Sequence, residues 1–383
     1  MKILMLNYEF PPVGGGGGQA HLSLLRQYAG RSDLQVDVLT SAPEPQSSTE
    51  QFAPNIRIFK IGIHKKDLHF WRKGEVIEWL ARSRSTYRRL VREEGYDLVH
   101  AFFGFPSGWL CHGTARRLPY IISLRGSDVP GANARFRFEY KILGPIVFKP
   151  VWRKAAALVA CSEGLKKRAL KFLPSAPIEV IPNGVDLERF RPASNKPAKE
   201  RMGVDGRTLR LLTVGRLSTT KRLPVLIETM ESLRAGGCDV QLTIIGGGAL
   251  QGDLRQTIQD KSLQGAIHIV GRCEGQEMPD IYRAHDVFIS ASAQEGMSNA
   301  MLEAMASGLP IVTTRCEGVD ELICDNGLVV DDPQPAELAR AVGVLASDAQ
   351  AWSAMSIAAR RRAERFTWHR VAYSYLELYA RVI

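Results

Sequence analysis

The sequence predicts an α/β protein of two doubly wound, Rossmann-like domains that face each other across a cleft. Its 383 residues exceed what one hydrophobic core usually supports, and 45% hydrophobic with 23% charged residues is a globular composition. Short aliphatic runs alternate with segments of helical periodicity along the whole chain. Parallel strands covered by helices on both faces produce this pattern, and two successive sets of strands indicate two domains.

The predicted strands form one set in each half of the chain. The first set covers 2–7, 35–40, 56–61, 97–102, 120–124, 156–161 and 178–182; the second covers 209–214, 240–245, 266–270, 286–291, 310–314 and 327–330. We place the domains at 1–190 and 191–365. Apolar residues at helical spacing in 366–383 predict a helix that packs back on the first domain. Open α/β sheets bind ligands beyond the carboxyl ends of their strands, which predicts a site in the cleft.

Composition excludes several classes of protein. The sequence contains no apolar run long enough for a spanning helix, and the first residues indicate a buried strand instead of a signal peptide. Six cysteines without metal-ligand spacing favour a reduced, cytoplasmic protein without structural zinc. Residues 1–200 contain 31 Lys and Arg but only 18 Asp and Glu. Residues 201–383 contain the remaining 19 Lys and Arg and 22 Asp and Glu. A basic half suits a phosphate-bearing acceptor or an anionic membrane, and we expect no nucleic-acid partner.

A run of five glycines, Gly14 to Gly18, follows the first predicted strand and leads into a helix expected to begin near Gln19. Successive glycine N–H groups can converge on an anion at a helix N-terminus, which makes Gly15, Gly16 and Gly17 candidate ligand-binding residues. Gly15, Gly17 and Ala20 also satisfy the G-x-G-x-x-A dinucleotide pattern, with Asp37 about 20 residues on. A nicotinamide or flavin site, or a lid without ligand, therefore remain alternatives.

Two cations follow the first strand of the second half. Gly215 leaves this strand, and Arg216 and Lys221 flank a short polar loop. A guanidinium and an ammonium at the carboxyl end of a strand suit a pyrophosphate, although solvated surface cations are the alternative. Two further turns, 244–250 and 269–275, could approach a nucleotide or simply be tight turns. Arg272 in the second of them is a candidate contact to the base.

The segment 292–312 carries two glutamates around a predicted helix. Ser298 is a good N-cap and Gly308 a good C-terminal stop, so the helix should span about 299–307. Glu303 lies more than two turns beyond Glu295, which predicts that the acids bind separate hydroxyl-bearing parts of one ligand. An exposed acidic turn and a salt-bridged helix face are the alternatives. Four backbone N–H groups should face an anion, those of Gly296, Met297, Ser298 and Asn299.

Together the segments YEFPPVGGGG, IPNGVDLERF, VGRLSTTK and EGMSNAMLEAMASGLPIV resemble family four of the retaining glycosyltransferases, which have the GT-B fold. The resemblance covers almost the whole chain and includes that family's Glu-x7-Glu motif. It implies a metal-independent hexosyl- or related glycosyltransferase of polysaccharide or glycolipid biosynthesis. Such an enzyme moves a sugar from a nucleotide-diphosphate sugar to a glycan or lipid-linked glycan.

The resemblance also implies a role for each motif residue. Arg216 and Lys221 would hold the donor diphosphate, Glu295 would bind sugar hydroxyls, and Glu303 would bind the ribose. Arg216, Lys221 and Glu295 are the predicted catalytic residues. The glycine loop, with Gly15, Gly16 and Gly17 as donor-binding residues, would close over the phosphates or shape the acceptor pocket. No metal and no cofactor is implied, because the nucleotide sugar is a substrate. A sugar-nucleotide epimerase or hydrolase on the same fold, and an NAD-dependent oxidoreductase using the glycine loop, are the alternative functions.

This chain departs from the family pattern at two positions. Arg125 stands where many relatives have a histidine, with Asp128 following, and Arg222 stands where they have a glycine. Arginine cannot act as a base near neutral pH, but it could bind an acceptor phosphate. Arg222 would be a third cation at the diphosphate. His100 ends a predicted strand and is either a core residue or an acceptor contact.

Two basic amphipathic stretches predict contact with a membrane. Residues 74–95 place several arginines opposite an apolar stripe, and 135–154 mix basic with aromatic and aliphatic residues. Such segments often lie on anionic lipid, although a solvated face is the usual alternative. We therefore expect a cytoplasmic protein that is peripheral on the inner face of the membrane.

Overall fold

The computed structural model describes residues 1–131, 141–193 and 208–383. Contacts divide the chain into a first unit, Met1–Asn183 with Trp368–Ile383, and a second unit, Gly184–Thr367. The division lies a few residues before the seam expected from sequence. The reason is that the segment after Asn183 is bound to the second unit: Val185 N–H donates to Phe366 O at 2.7 Å. Arg360 likewise donates to the Leu187 and Phe190 carbonyls.

The first unit is built on an eight-stranded sheet in the order β3-β4-β2-β1-β5-β6-β7-β8. Its strands are β1 Lys2–Leu6, β2 Gln35–Ala42, β3 Ser48–Ala53, β4 Ile56–Gly62, β5 Leu98–Phe102, β6 Tyr120–Leu124, β7 Ala157–Ala160 and β8 Ile178–Val180. All neighbours pair in parallel except β3 with β4. The predicted strands are confirmed, and β3 is an addition. Its residues STEQFA are largely exposed, so no apolar pattern marked it.

Helices accompany the strands of this sheet. They are α1 Gly16–Tyr28, α2 Lys73–Glu93, α3 Ser107–Cys111, α4 Lys149–Lys154 and α5 Glu163–Phe172, with a π-helical turn over Gly144–Phe148. The central strands are apolar and fully buried, as expected for a parallel sheet covered on both faces. His100 lies in the middle of β5, inside the sheet and not at the end of the strand as expected, and Arg125 directly follows β6.

The second unit is built on a six-stranded sheet in the order β11-β10-β9-β12-β13-β14. Its strands are β9 Leu209–Val214, β10 Val240–Ile245, β11 Ile267–Gly271, β12 Val287–Ser290, β13 Ile311–Thr314 and β14 Gly327–Val330. Its helices are α6 Leu223–Ala235, α7 Gln251–Asp260, α8 Met278–Arg283, α9 Asn299–Ala306, α10 Val319–Leu322, α11 Pro335–Ser347 and α12 Ala349–Ala363. All of its strand pairs are parallel. Strand order reverses at β9, so the β9 and β12 carboxyl ends flank a topological switch point, where such sheets bind ligands.

The last helix, α13 Trp368–Val382, returns to the first unit, where it packs on α1. Its buried face carries Tyr375 and Tyr379, whose hydroxyls reach Ser123 and His100 in the sheet. Trp368–Val382 therefore completes the core of the unit formed by the start of the chain.

Over the described residues, no helix is both long and apolar enough to cross a membrane. The same part of the chain holds no cluster of three or more His, Cys, Asp or Glu side chains that could bind a metal ion.

Candidate active site

One pocket at the carboxyl ends of β9 and β12 brings together residues that the sequence predicted separately. Arg216 and Lys221 line it together with Ser298, the residue that caps α9. The other lining residues come from the strands, from the loops that follow them and from the first residue of α6: Thr213, Val214, Gly215, Leu223, Ile244, Phe288, Ser290 and Ser292. The pocket therefore combines two cations with the positive end of a helix dipole.

Backbone hydrogen bonds between neighbouring loops fix the position of the cations. Gly215 N–H donates to Ile245 O at 2.9 Å, and Leu217 N–H donates to Gly247 O at 3.1 Å. Gly246 adopts φ +138° and lies so close to the loop after β9 that an added Cβ would be 1.9 Å from Gly215 O. Only glycine fits this contact. The turn predicted at 244–250 therefore supports the cation loop.

Lys221 and Glu295 form an ion pair inside the site. Lys221 ends a single 3₁₀ turn, Thr219–Lys221, and Glu295 precedes α9. Their side chains are 22% and 15% exposed. The neighbouring loops are joined as well, because Ala293 N–H donates to Thr220 O at 2.8 Å. The ammonium and the carboxylate are thus held side by side, in reach of solvent.

Glu317 is a further acidic residue beside Glu295, and the sequence did not predict it as part of the site. The Glu295 N–H donates to its carboxylate at 3.0 Å. Gly318, with φ +83°, lets the same loop pass close to Met297, because an added Cβ would be 3.1 Å from Met297 Cα. Glu317 follows β13. Its position just after a parallel strand was the feature of the sequence that could have identified it as a site residue.

The N-terminus of α9 is formed as predicted. The Ser298 hydroxyl accepts the Met301 N–H at 3.3 Å, and α9 spans Asn299–Ala306. Gly308 follows with φ +75°. Gly296, Met297, Ser298 and Asn299 therefore lie together where α9 begins.

Glu303 lies further along α9 and is bound by a tyrosine. The Tyr282 hydroxyl, from α8, donates to Glu303 Oε2 at 2.9 Å. Burial raises the pKa of the Glu303 carboxyl to about 7, and the Tyr282 hydroxyl and the Arg189 charge oppose this rise. Tyr282 is fully buried and packs edge-on against Phe190. Sequence reasoning did not identify Tyr282, because an aromatic residue at helical spacing is usually a core residue.

Arg222 occupies a left-handed backbone conformation, with φ 47° and ψ 41°. Left-handed geometry costs a non-glycine residue roughly 1–2 kcal/mol. Among the described residues, nothing forms a hydrogen bond or ion pair with the Arg222 side chain. Burial raises the pKa of the Cys316 thiol, and so do the charges of Glu295 and Glu317, whereas those of Lys221 and Arg222 lower it. Arg222 is therefore a strained cation near the ion pair.

Arg272 extends across the turn after β10. An added Cβ on Gly247 would be 2.8 Å from Arg272 Nε, so the exposed guanidinium arm packs on this glycine. The contact joins Arg272 to the same turn that supports the loop of Arg216.

In the first unit, the helix after the glycine run begins at Gly16, earlier than the position near Gln19 that we expected. Gly15 is the N-cap residue, and Gly16 and Gly17 lie in the first turn. An added Cβ on Gly17 would be 2.7 Å from the Phe103 ring, so close packing also requires this glycine. The helix can start early because Gly14, with φ +98°, turns the chain before it and donates its N–H to Leu68 O.

Asp37 does not support the dinucleotide alternative. Its carboxylate is buried and accepts two hydrogen bonds from Arg57, at 2.8 and 2.6 Å, and one from the Tyr96 hydroxyl at 2.5 Å. A ribose-binding acid must be open to ligand. The Asp37 oxygens are instead committed to neighbouring side chains.

His100 is a core residue. Its Nδ1 pairs with the Tyr379 hydroxyl at 2.6 Å and its Nε2 with the Ser123 hydroxyl at 2.7 Å. Burial places the pKa of the ring well below its ordinary value, and the charges of His21 and Arg125 act in the same direction. Both ring nitrogens are therefore occupied away from solvent, which supports the core alternative over an acceptor contact.

Arg125 and Asp128 form one loop after β6. Asp128 accepts the N–H groups of Gly104 and Arg125, both at 2.8 Å, and burial raises the pKa of its carboxyl. Arg125 donates from Nη2 to Asn183 Oδ1 at 2.8 Å, and its Nε is buried without a hydrogen bond. Asp128 thus shapes the loop, and Arg125 keeps donors that the described residues do not use.

Two models of glycosyltransferase sequences match this chain. The model described as "Glycosyltransferase Family 4" matches residues 15–189, and the one described as "Glycosyl transferases group 1" matches residues 208–348. Together they span both units, including the glycine run, the cation loop and α9.

The chain belongs to glycosyltransferase family 4. Curated relatives of this glycosyltransferase match it over nearly its full length or over about half of it. A D-inositol 3-phosphate glycosyltransferase of Corynebacterium urealyticum is 25% identical over 99% of this chain and 95% of its own. One of Pseudarthrobacter chlorophenolicus is 34% identical over 53% of this chain and 50% of its own.

Solved structures confirm that the glycosyltransferase has the GT-B fold. Sucrose-phosphate synthase from Thermosynechococcus elongatus superposes with a TM-score of 0.81 at 20% identity, over 100% of this chain and 99% of that one. HepE from Anabaena, solved with UDP-glucose, gives 0.74 at 20% identity over 99% of each chain. WaaG, a glycosyltransferase of lipopolysaccharide biosynthesis, gives 0.73 at 16% identity over 98% and 99%.

The glycosyltransferase presents a basic helix surface in its first unit. Helix α2 buries Trp79, Tyr87 and Leu90, while Arg84 and Arg88 are exposed and Ile77 is 64% exposed. The charged face predicted within 74–95 is therefore on the surface. Of the second stretch, 135–140 lies outside the described residues, and Ile142 and Ile146 are exposed in the remainder.

Proposed function

We propose that this glycosyltransferase moves a sugar from a nucleoside diphosphate sugar to an acceptor hydroxyl with retention of anomeric configuration. The observation that carries the proposal is that Arg216, Lys221 and the Ser298 cap of α9 line one pocket. A departing diphosphate gains negative charge as the glycosidic bond breaks. Two cations and a helix N-terminus supply positive potential for that charge.

Each site residue contributes one contact to this reaction. Arg216 and Lys221 bind the diphosphate oxygens, and the Glu295 carboxylate orients hydroxyls of the sugar beside Lys221. Backbone N–H groups of Gly296, Met297, Ser298 and Asn299 add hydrogen bonds to the sugar phosphate. Glu303 binds the ribose, and Arg272 contacts the nucleotide base. Arg222 adds a third positive charge.

The acceptor attacks from the face that the diphosphate leaves, so the enzyme needs no nucleophile of its own. In this reaction, positioning and charge stabilisation lower the barrier. The cations replace a divalent metal, and the nucleotide sugar is a substrate, so no cofactor is required. An NMR spectrum of the product gives its anomeric configuration, and an inverted product would overturn the retaining assignment.

The nucleotide of the donor can be found by binding measurements. A ligand that prefers the native state raises its melting temperature by mass action. We expect UDP, GDP or ADP to raise it, and Lys221→Ala to abolish that shift. The matched variant Lys261→Ala removes an exposed ion pair with Glu231 in the same unit and should keep the shift. No response to any of the three diphosphates would overturn the donor assignment.

The acceptor is a glycan or lipid-linked glycan with an anionic group, which Arg125 binds in the first unit. The Arg125 Nε without a hydrogen bond and the basic first half of the chain support this assignment. The N–H groups at Gly15 to Gly17 form a second anion-binding element there. Transfer assays with phosphorylated and neutral acceptors, including D-inositol 3-phosphate, test it. An Arg125→Gln enzyme with unchanged KM for a phosphorylated acceptor would contradict the proposal.

We also propose a cytoplasmic, peripheral position on the inner membrane face, which the basic α2 surface supports. Each basic residue near anionic lipid contributes about 1 kcal/mol, so several suffice for reversible binding. We expect sedimentation with phosphatidylglycerol vesicles at low salt and its loss in Arg84→Glu/Arg88→Glu. The control Arg234→Glu changes an exposed arginine of the second unit. Absence of binding by the native protein would end this proposal.

A further inference from the structure

The hydrogen bond between Tyr282 and Glu303 joins a fully buried residue to one that is partly exposed to solvent. Tyr282 is 0% exposed, so it cannot touch a ligand, whereas Glu303 is partly exposed. The hydroxyl donates to one carboxylate oxygen, Oε2, at 2.9 Å. No other described side chain forms a hydrogen bond with the Glu303 carboxylate. Its second oxygen is therefore available to a ligand.

Packing determines where the Tyr282 hydroxyl points. The ring lies 5.7 Å from Phe190 at an interplanar angle of 80° and 6.5 Å from Phe288 at 32°. Phe288 belongs to β12, and Tyr282 belongs to the short helix α8 just before that strand. A ring enclosed in this way has no freedom to rotate out, so the hydroxyl keeps a fixed direction.

We propose that Tyr282 is a positioning residue that aims the Glu303 carboxylate at the ribose of the donor nucleotide. This inference rests on the proposed function, in which Glu303 binds that ribose. A carboxylate on a rotatable side chain would otherwise lose conformational freedom on binding. The hydrogen bond removes that freedom beforehand and so lowers the cost of binding.

The electrostatics of the pair agree with this role. Burial raises the pKa of Glu303 to about 7, and the Tyr282 hydroxyl lowers it by binding the ionised form. The charge of Arg189, in the loop before the second sheet, also lowers its pKa. Arg360, from α12, binds the Ala306 carbonyl at the other end of α9. Tyr282 therefore favours the charged carboxylate, which is the better acceptor for ribose hydroxyls.

The test compares nucleotides with and without the ribose hydroxyls. Titration calorimetry uses UDP, GDP and ADP, and then the 2′,3′-dideoxy form of whichever binds. Because Glu303 would then have to be ordered when the ligand binds, Tyr282→Phe should weaken binding of the ribose form roughly 3- to 10-fold. Binding of the dideoxy form should change less than about 2-fold, because no hydroxyl remains to be bound.

A control and a second readout separate positioning from general stability. Tyr96→Phe removes another buried tyrosine hydroxyl, the one that donates to Asp37 in the first unit, and should leave nucleotide affinity unchanged. Tyr282→Phe should also move the midpoint of the pH dependence of ribose-form binding upward, since the carboxylate loses a partner for its charged form. Tyr96→Phe should leave that midpoint in place.

The outcomes distinguish this inference from the proposed function. If Glu303→Gln weakens ribose-form binding and Tyr282→Phe does not, the positioning role is wrong and the ribose assignment stands. If Tyr282→Phe weakens ribose and dideoxy forms equally, Tyr282 only supports the fold and the inference is also wrong. If neither variant affects either form, the ribose assignment fails and the inference fails with it.

Discussion

Lys221 and Glu295 form an ion pair although 74 positions separate them in the chain. One ends the 3₁₀ turn after β9 and the other precedes α9. The parallel sheet makes this contact, because β9 and β12 are neighbours and their carboxyl ends lie at the same edge. The pair brings the cation proposed to bind phosphate beside the acid proposed to bind sugar hydroxyls.

Removal of either partner should abolish most sugar transfer. Loss of one group that stabilises transition-state charge lowers kcat by roughly 10²–10³-fold. We expect this decrease for Lys221→Ala and for Glu295→Ala. The fold should persist, since the pair joins two loops at the edge of the sheet and both side chains reach solvent. Initial rates with circular dichroism check both statements. Near-normal turnover in both variants would show that the site is elsewhere, and Lys261→Ala should behave as the native enzyme.

Replacement of Arg222 by glycine should stabilise the protein and weaken the donor site. Relief of the left-handed conformation offsets the greater entropy of unfolded glycine and should raise the free energy of unfolding by roughly 0.5–1 kcal/mol. Loss of the third cation should raise KM for the donor. Ser262, with φ 55°, provides the matched control, since Ser262→Gly should give the stability gain alone. A donor KM unchanged in Arg222→Gly would remove Arg222 from the site.

Replacement of Glu303 by glutamine should stabilise the protein at alkaline pH. The pKa of this carboxyl is raised to about 7 by burial, so the folded state binds its proton more tightly than the unfolded state. Folded-state stability therefore falls as pH rises from the unfolded pKa through about 7. The melting temperature of Glu303→Gln should exceed that of the native protein at pH 8 and match it near pH 5. The same gain at both pH values would contradict the burial argument.

Substitution of His100 should destabilise the first unit. His100→Leu removes one hydrogen bond each from the buried Tyr379 and Ser123 hydroxyls, which keep the Tyr28 and Tyr375 hydroxyls as partners, and each lost bond costs roughly 0.5–1.5 kcal/mol. Urea denaturation measures the loss. The donor KM should stay constant where the variant is folded, and a selective rise in acceptor KM without loss of stability would restore the acceptor alternative.

Treatment with a chelator should leave transfer almost unchanged. The proposed mechanism assigns the diphosphate charge to Arg216 and Lys221, so EDTA should alter the initial rate by less than about 2-fold. Magnesium or manganese added back provides the control. A rate that falls to background and returns with one of these ions would reject the assignment.

The sequence by itself determined the features that short-range chemistry controls. Apolar runs predicted the buried strands, because a strand covered on both faces must be apolar along its length. Ser298 and Gly308 predicted the bounds of α9, since caps act on the adjacent turn. Four motifs in order predicted the family and, with it, the candidate residues Arg216, Lys221 and Glu295.

Only the tertiary structure decided what depends on neighbours distant in the chain. The strand β3 owes its place to pairing with β4 rather than to its own polar sequence, and His100 became a core residue because α13 covers it. Tyr282 and Glu317 joined the site through contacts with Glu303 and Glu295 that no local pattern encodes. A side chain's partners follow from how strands and helices pack, and packing is a property of the whole fold.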